Sequence, residues 1–514
     1  MLLCRISGNI IQVLPIDLIK KLNYYELINY LSKINEIKEI LDNNIIKYIW
    51  NEIIINIDNF NDFIKNINET TIITIIIQKL SKIYSTDSAF AIIDNNGNVI
   101  TWGHPNFGGD SSKVQNKLQN INSKAVIQDV FISIKEIYST NSAFAAIDND
   151  GNVITWGDPN SGGNSDKVQD KLKNIIKIYS IEDAFAAIDN NGNVITWGHS
   201  YFGDNSSKVQ DKLHDWRCNI SNDVSIFISI KEIYSTNYAF AAINNNGNVI
   251  TWGHSYFGGD SSKVQNKLKN IKEIFSTQGA FAAIDNNGNV ITWGDYDYGG
   301  DSSIVQDKLK NIQKIYSTYY AFAAIDNNNN IITWGNSQYG GYLSNKVMQD
   351  VIIPIKNIYS TSRAFALIDN NNNVITWGHY DYGGDSSHIQ YKLINIIEIY
   401  SNNDAFAAIN NNGDVITWGD INYGGDSSNV QFKLKNITKI YSNNNSFAAI
   451  NNNGNVITWG DSGSGGDSSY IQSQLKNIKK IYSTDGAFAA IDNNNNVIIW
   501  GDHYYGGYPL IITI

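Results

Sequence analysis

The sequence predicts a mainly β fold: a repeat β-propeller, or an open propeller-like superhelix, of about ten short blades preceded by a small α-helical region. Three observations predict it. Trp followed by Gly recurs at Trp102, Trp156, Trp197, Trp252, Trp293, Trp334, Trp377, Trp418, Trp459 and Trp500, at intervals of 54, 41, 55, 41, 41, 43, 41, 41 and 41 residues. A Phe stands twelve residues before each of these tryptophans, from Phe90 to Phe488. Between Phe and Trp lie two short apolar runs around an Asn/Gly-rich turn. Self-similarity at a fixed period marks a chain of stacked supersecondary units, each unable to bury its own faces.

One unit, "KEIFSTQGAFAAIDNNGNVITWGDYDYGGDSSIVQDKLKN" (272–311), shows how. Ile274 to Thr277 alternate as a short strand. "AFAAID" and "NVITWG" read as two more, joined at Asn286, Asn287 and Gly288, residues that tolerate the positive φ of a tight hairpin. The run from Phe281 to Ile284 is apolar at every position, so that strand is covered on both faces, as in stacked sheets. The paired glycines after Trp293 allow a reversal, and "SIVQDKL" reads as a short helix. Ser303 would cap it and Gln306 complete a capping box. Val305 and Leu309, four apart, would share one face. At the ends, Ile72–Ile77 is expected to pair beside Leu510–Ile514 in a composite blade that closes a ring and hides its edges.

Composition narrows the function. The chain has 514 residues, 42% hydrophobic, with only 5 Pro, and a net charge of −11. An acidic surface repels phosphate backbones, so nucleic acid is not an expected partner. Cys4 and Cys218 suffice for neither a disulfide framework nor a zinc site, and a reducing compartment follows. No apolar run reaches a membrane span, and the N-terminus lacks a signal peptide's features. The expectation is an intracellular protein, cytoplasmic or nuclear, not secreted and not membrane-bound. Heavy use of Asn, Ile and Lys suggests an AT-rich genome, such as that of a large DNA virus or an AT-rich protist.

The unit "IYST…AFAAID.NGNVITWG…YGG" resembles the repeats of the regulator of chromosome condensation family over about residues 83–507. The resemblance implies a propeller, although that family's propellers usually have seven blades of about fifty residues. Its founding activity, nucleotide exchange on a Ran-type GTPase, belongs to loops with no match here. Chromatin binding in that family uses a basic tail, which this chain lacks. Upstream, residues 13–50 resemble a degenerate F-box through Leu14-Pro15, Leu18-Ile19, Glu26-Leu27, Leu31 and Trp50. The same segment also reads as amphipathic helices capping a propeller. An F-box would imply docking to a Skp-type adaptor of a cullin–RING ubiquitin ligase. The domains expected are thus a helical F-box-like region, 1–69, and a repeat region, 70–514.

Several motifs invite sharper readings. "DNNGN" (94–98 and its copies) begins like a calcium loop but lacks the acid at position twelve, so it reads as a hairpin turn. His104, His199, His254 and His379 stand two residues after Trp, where other repeats have Asp or Asn; a solvated polar rim explains that exchange better than a metal. "GGDSS" has no following Gly-Lys-Ser/Thr and reads as a helix cap rather than a phosphate cradle. No repeat carries a unique acid–base cluster, and the tryptophans read as core. Symmetry breaks at two insertions, Asn122–Phe131 and His214–Phe227, the second with Trp216 beside Arg217, residue types enriched at binding hot spots.

The sequence therefore points to a non-enzymatic protein-interaction scaffold without metal or cofactor. It could serve as the substrate arm of an F-box ligase, with Leu14, Pro15 and Leu18 on the adaptor and Trp216 and Arg217 on a partner. The alternatives are an exchange factor for a Ran-type GTPase and a purely structural repeat protein.

Overall fold

Each repeat folds into one antiparallel three-stranded blade. In the fifth, the inner strand Ile271–Ser276, the middle strand Ala280–Asp285 and the outer strand Val290–Gly294 lie in that order, with Phe281 opposite both Ser276 and Trp293. This is a computed structural model. It describes residues 82–94, 97–119, 133–203, 230–344, 351 and 354–508 with their side chains. It also gives the backbone of Leu2–Ile6, Asn9–Leu14, Asn44–Trp50, Ile53–Ile54, Ile72–Lys79 and Ile511–Thr513. The chain divides after Lys82 into two units.

The hairpin turn forms where the sequence places it. Asp285 accepts hydrogen bonds from the amides of Asn287 and Asn289 through Oδ1, and from the Asn289 side chain through Oδ2. Gly288 takes φ +78°. The carboxylate is thus consumed in holding the turn, which is what the mismatch with a calcium loop implies.

The middle strand is buried on both faces because its alternate residues serve different neighbours. Phe281, Ala283, Ile291 and Trp293 pack with blade 4. Ala280, Ala282, Ile284 and Val290 pack with blade 6, where Leu309 and, partly buried, Val305 join them. Burying one Phe of this kind is worth roughly 2–3 kcal/mol, and the pattern recurs between successive blades. Phe281 stacks on Trp293 with centroids 5.1 Å apart.

Trp293 also donates from Nε1 to the Gly258 carbonyl of the preceding blade at 3.0 Å. Gly258 has φ +103°, and a Cβ there would lie 2.6 Å from the Phe281 ring. One Gly and one Trp thereby lock neighbouring blades together.

Ten blades occur among the described residues, and the last closes on the first. Ala487, Ala489, Ile491, Val497 and Ile499 of blade 10 pack against Ile83, Phe90 and Ile92 of blade 1. The Asp485 amide donates to the Asp87 carbonyl across the same junction at 3.1 Å. The structure is a closed ring, not an open superhelix.

Three expectations are corrected. Ile72–Lys79 does not pair with the C-terminus. It lies in the five-stranded sheet of the N-terminal unit, parallel to Leu2–Ile6 and antiparallel to Asn44–Trp50. Ile511–Thr513 instead adds a fourth strand to blade 10, beside Asn496–Gly501. Every blade is complete with three strands, so closure proceeds by face-to-face packing and needs no shared sheet.

Second, Leu14 ends a strand, and Asn44–Trp50 is a strand too. "NIIKYIW" is rich in β-branched and aromatic residues that suit a pleated surface, while Pro15 to Ile34, whose spacing suggests helices, lie outside the described residues. Third, "SIVQDKL" forms only turns in this repeat, although the equivalent segment is a short helix in others, such as Gln115–Leu118 and Ser387–Lys392, and its polar network starts one residue earlier. Ser302 donates to Gln306 Oε1 at 2.8 Å and shares a hydrogen bond with Thr292, while Gln306 Nε2 donates to the Val290 carbonyl at 3.0 Å.

Candidate functional site

At one end of the ring the inner strand finishes, the middle strand begins and the outer strand ends in its Trp-Gly loop. The "ST" of seven repeats joins these three; blade 3 has Ile181 in place of Thr and lacks the side-chain clamp. Thr277 accepts from the Ala280 amide at 3.0 Å and donates to the Tyr298 carbonyl at 2.8 Å. In blades 8 and 9, Asn402 and Asn443 replace Thr and do the same with Oδ1 and Nδ2. This clamp fixes the residue five after Trp at a set place on the face, and that residue is aromatic in eight of the ten repeats.

The residue after Thr borders the mouth of the central channel. From blade to blade its amide donates to the equivalent carbonyl of the next, as with Asn237 to Gln278 at 3.0 Å and Ser362 to Asn403 at 2.9 Å. Between blades 3 and 4, the Asn237 side chain donates to Glu182 at 2.6 Å. The channel encloses about 790 Å³ and is lined at this level by residues from all ten blades, with no Lys, Arg or His among them. Asp87, Glu182 and Asp485 supply its charge. Burial, with Asp485 and then Glu182 and Asp183 nearby, pushes the Asp87 carboxyl up to about 7. Burial also raises Glu182 and Asp485.

Around this mouth, tenfold regularity is broken by an aromatic arc over blades 3 to 7. Phe202 stacks on Tyr238 at 5.2 Å, and Tyr238 meets Phe257 at 4.7 Å. Phe257 touches Tyr298 edge-on at 6.0 Å, Tyr298 meets Tyr320 at 4.9 Å, and Tyr320 meets Tyr339 at 4.9 Å. His379 then links Tyr339 to Tyr382. The edge contact in the middle needs Gly279, where a Cβ would lie 2.8 Å from Tyr298 and 2.9 Å from Phe257. Arg363 ends the arc. Its guanidinium lies 4.5, 5.1 and 5.9 Å from the ring centroids of Tyr382, Tyr339 and Tyr320, and it donates to the Tyr382 hydroxyl at 2.7 Å. Tyr201, Tyr256, Tyr296 and Tyr380, on the same loops, are 60–69% exposed.

The residues singled out from sequence fall in three groups. The ten tryptophans are structural: each stacks on its Phe, and those other than Trp102 are at most 4% exposed. Two of the four histidines after Trp cap the turn as Asp does elsewhere: Nδ1 of His199 and of His254 accepts from the Tyr201 and Tyr256 amides as Asp295 accepts from Asp297, whereas the buried Nδ1 of His104 and of His379 has no hydrogen-bond partner. His, Asp and Asn exchange there because each offers an acceptor at the same point. The Leu14 side chain, Pro15, Leu18, Trp216 and Arg217 lie outside the described residues.

Sequence reasoning missed Tyr238, Tyr320 and Arg363. Their signal is the position just before "AF" or "SF", which reads Ser, Ser, Asp, Tyr, Gly, Tyr, Arg, Asp, Asn, Gly across the ten repeats, among otherwise repetitive neighbours.

Among the described residues, no group of three or more His, Cys, Asp or Glu side chains is placed to hold a metal, and no helix is long and apolar enough to cross a membrane. No protein-family model matches the chain, and none of the curated proteins matches it. Solved structures similar to part of it include Prp20p of Saccharomyces cerevisiae, studied together with its binding to Gsp1p and histones. It is 16% identical, over 50% of this chain and 74% of that one, with a TM-score of 0.31. Human WBSCR16 is 12% identical over 51% and 79%, with a TM-score of 0.30. The ectodomain of the Arabidopsis thaliana receptor kinase ACR4 is 13% identical over 56% and 95%, with a TM-score of 0.29. These are partial likenesses, and the fold assignment rests on the ring of blades itself.

Proposed function

We propose that this protein is a non-enzymatic scaffold that docks a partner protein on the channel-mouth face of the ring. The observation that carries the reading is the aromatic arc. Blade packing explains the ten Phe–Trp pairs, but it does not require Tyr238, Tyr320 and Arg363, which appear only over part of the ring. Tyr and Arg dominate binding hot spots because they bring large contact area and a polar tip at low entropic cost. The test compares proteins recovered from the native cell by the full chain and by a Tyr320→Ala, Tyr339→Ala variant. A partner lost by the variant but kept by Lys308→Ala, on the outer connection, supports the reading. Identical recoveries by all three overturn it.

Docking to a Skp-type adaptor through Leu14, Pro15 and Leu18 rests on the F-box resemblance alone, and the strands at Asn9–Leu14 and Asn44–Trp50 do not favour it. A quantitative pull-down by the full chain and by Leu14→Ala, Pro15→Ala decides it. Trp216 and Arg217 sit in an insertion between blades 3 and 4, next in sequence to the start of the arc, and replacing both by Ala tests whether they extend the same surface. On this reading the purified protein does not speed GDP release from a Ran-type GTPase.

A further inference from the structure

We infer that the arc seats an extended segment of the partner that sets an aspartate or glutamate carboxylate against Arg363. This deepens the docking reading and rests on it.

Arg363 is only partly engaged by the protein itself. Among the described residues it makes no ion pair, and one hydrogen bond, to Tyr382, occupies one of its five donors. A guanidinium held against tyrosine rings keeps its remaining N–H donors for a ligand, and these match a carboxylate in fork geometry. Rigid placement on three rings removes much of the rotamer entropy that a free Arg loses on binding.

Among the described residues of the arc Arg363 is the one Lys or Arg side chain. Burial and Asp420 raise the Asp404 carboxyl, and the charge of Arg363 already acts to lower it. Asp87, Glu182 and Asp485 line the mouth, and Asp183 and Asp404 follow Glu182 and Asn403 in the turns. A partner carboxylate is repelled at each of them. Pairing at Arg363 therefore fixes the register of a bound segment as well as adding affinity.

The arc also sets the occupant's form. Seven ring-to-ring steps of 4.7–6.0 Å lead from Phe202 to Tyr382. The path is roughly 35 Å, which an extended segment of about ten residues spans. Aromatic or proline side chains would lie on the rings, and the acid would come at the Arg363 end. Single-stranded nucleic acid can also stack on aromatic rings, but its phosphates would run beside the carboxylates along the whole arc, which favours the peptide.

The experiment selects peptides from a random dodecamer display library on the immobilised full chain. The expected result is enrichment of sequences with one Asp or Glu near aromatic or proline residues. A synthetic peptide of the consensus then binds at least tenfold more tightly than its Glu→Gln form. With Arg363→Gln the difference between the two forms disappears, while the melting temperature stays within a few degrees. Arg363→Lys, which keeps the charge without the fork, retains part of the preference. Equal binding of the Glu and Gln forms to the native protein overturns the carboxylate pairing but leaves docking on this face standing. Enrichment of basic peptides alone overturns it in favour of the acidic mouth, and tighter binding of a 12-nucleotide single-stranded RNA overturns it in favour of nucleic acid. No enrichment of any peptide sinks the docking reading itself.

Discussion

Asp87 stands at the junction where the ring closes, its carbonyl accepting from the Asp485 amide. Its carboxyl is raised from 3.8 to about 7 by burial and by Asp485, Glu182 and Asp183. The folded protein therefore holds a proton that the unfolded chain releases near pH 4. Stability attributable to this group falls as pH rises from about 4 to about 7 and is constant above, because a raised carboxyl disfavours the charged folded state. At 1.36 kcal/mol per pH unit the full effect is roughly 4 kcal/mol. Asp87 is only partly buried, and solvent screening reduces this to about 2 kcal/mol. Asp87→Asn keeps the shape and removes the charge. The variant should be more stable than the native protein by about 2 kcal/mol at pH 8, with the gap closing as pH falls towards 4. Urea unfolding followed by tryptophan fluorescence at pH 8, 6 and 4.5 reads both quantities. A gain that is the same at all three pH values, or no gain at pH 8, refutes the electrostatic account of the junction.

The repeat made the blade legible and hid the ring's function, for one physical reason. Positions that satisfy neighbouring blades must be the same in every repeat, so Phe281, Trp293 and Gly258 announce themselves through periodicity, and the turn residue Asp285 does so with Asn in its place in three repeats. The covered middle strand could be read from "AFAAI" because no polar residue interrupts it. Closure was harder to read. Leu510–Ile514 and Ile72–Ile77 look complementary as apolar strands, yet apolar character does not choose an edge, and the strands Ile72–Lys79 and Ile511–Thr513 each pair within their own unit. The polar network of Ser302 and Gln306 was misread by one residue because Ser302 and Ser303 offer the same chemistry and only the backbone path separates them. The arc lay at the position where periodicity fails. A pattern search discards that column as noise, while Tyr238, Tyr320 and Arg363 gain their meaning only when five consecutive blades bring them to one rim.

Five substitutions test other parts of the account. Gly279→Ala should cost about 1–3 kcal/mol in thermal unfolding, the usual penalty for overpacking, because the new Cβ pushes on both Tyr298 and Phe257; an unchanged melt means the rings move aside freely. Trp334→Phe strands the buried Gly299 carbonyl and should cost about 1–3 kcal/mol for that alone, whereas Trp252→Phe, whose Nε1 has no partner, should cost less; equal losses would deny the inter-blade hydrogen bond its role. The last pair concerns the hairpin turns, where three repeats carry Asn instead of Gly: Asn329, Asn372 and Asn495, at φ +63°, +65° and +66°. Asn is among the few residues that tolerate this conformation, and Gly relieves the remaining strain while adding a similar entropy to the unfolded chain. Asn329→Gly should therefore be nearly neutral. Asn495 differs, because its side chain is buried and its Oδ1 finds no hydrogen-bond donor. Asn495→Gly removes a desolvated carbonyl oxygen and should stabilise by about 1 kcal/mol. A loss of stability at Asn495 would mean that its amide fills space blade 10 cannot leave empty, and the unpaired oxygen is then the lesser of two costs.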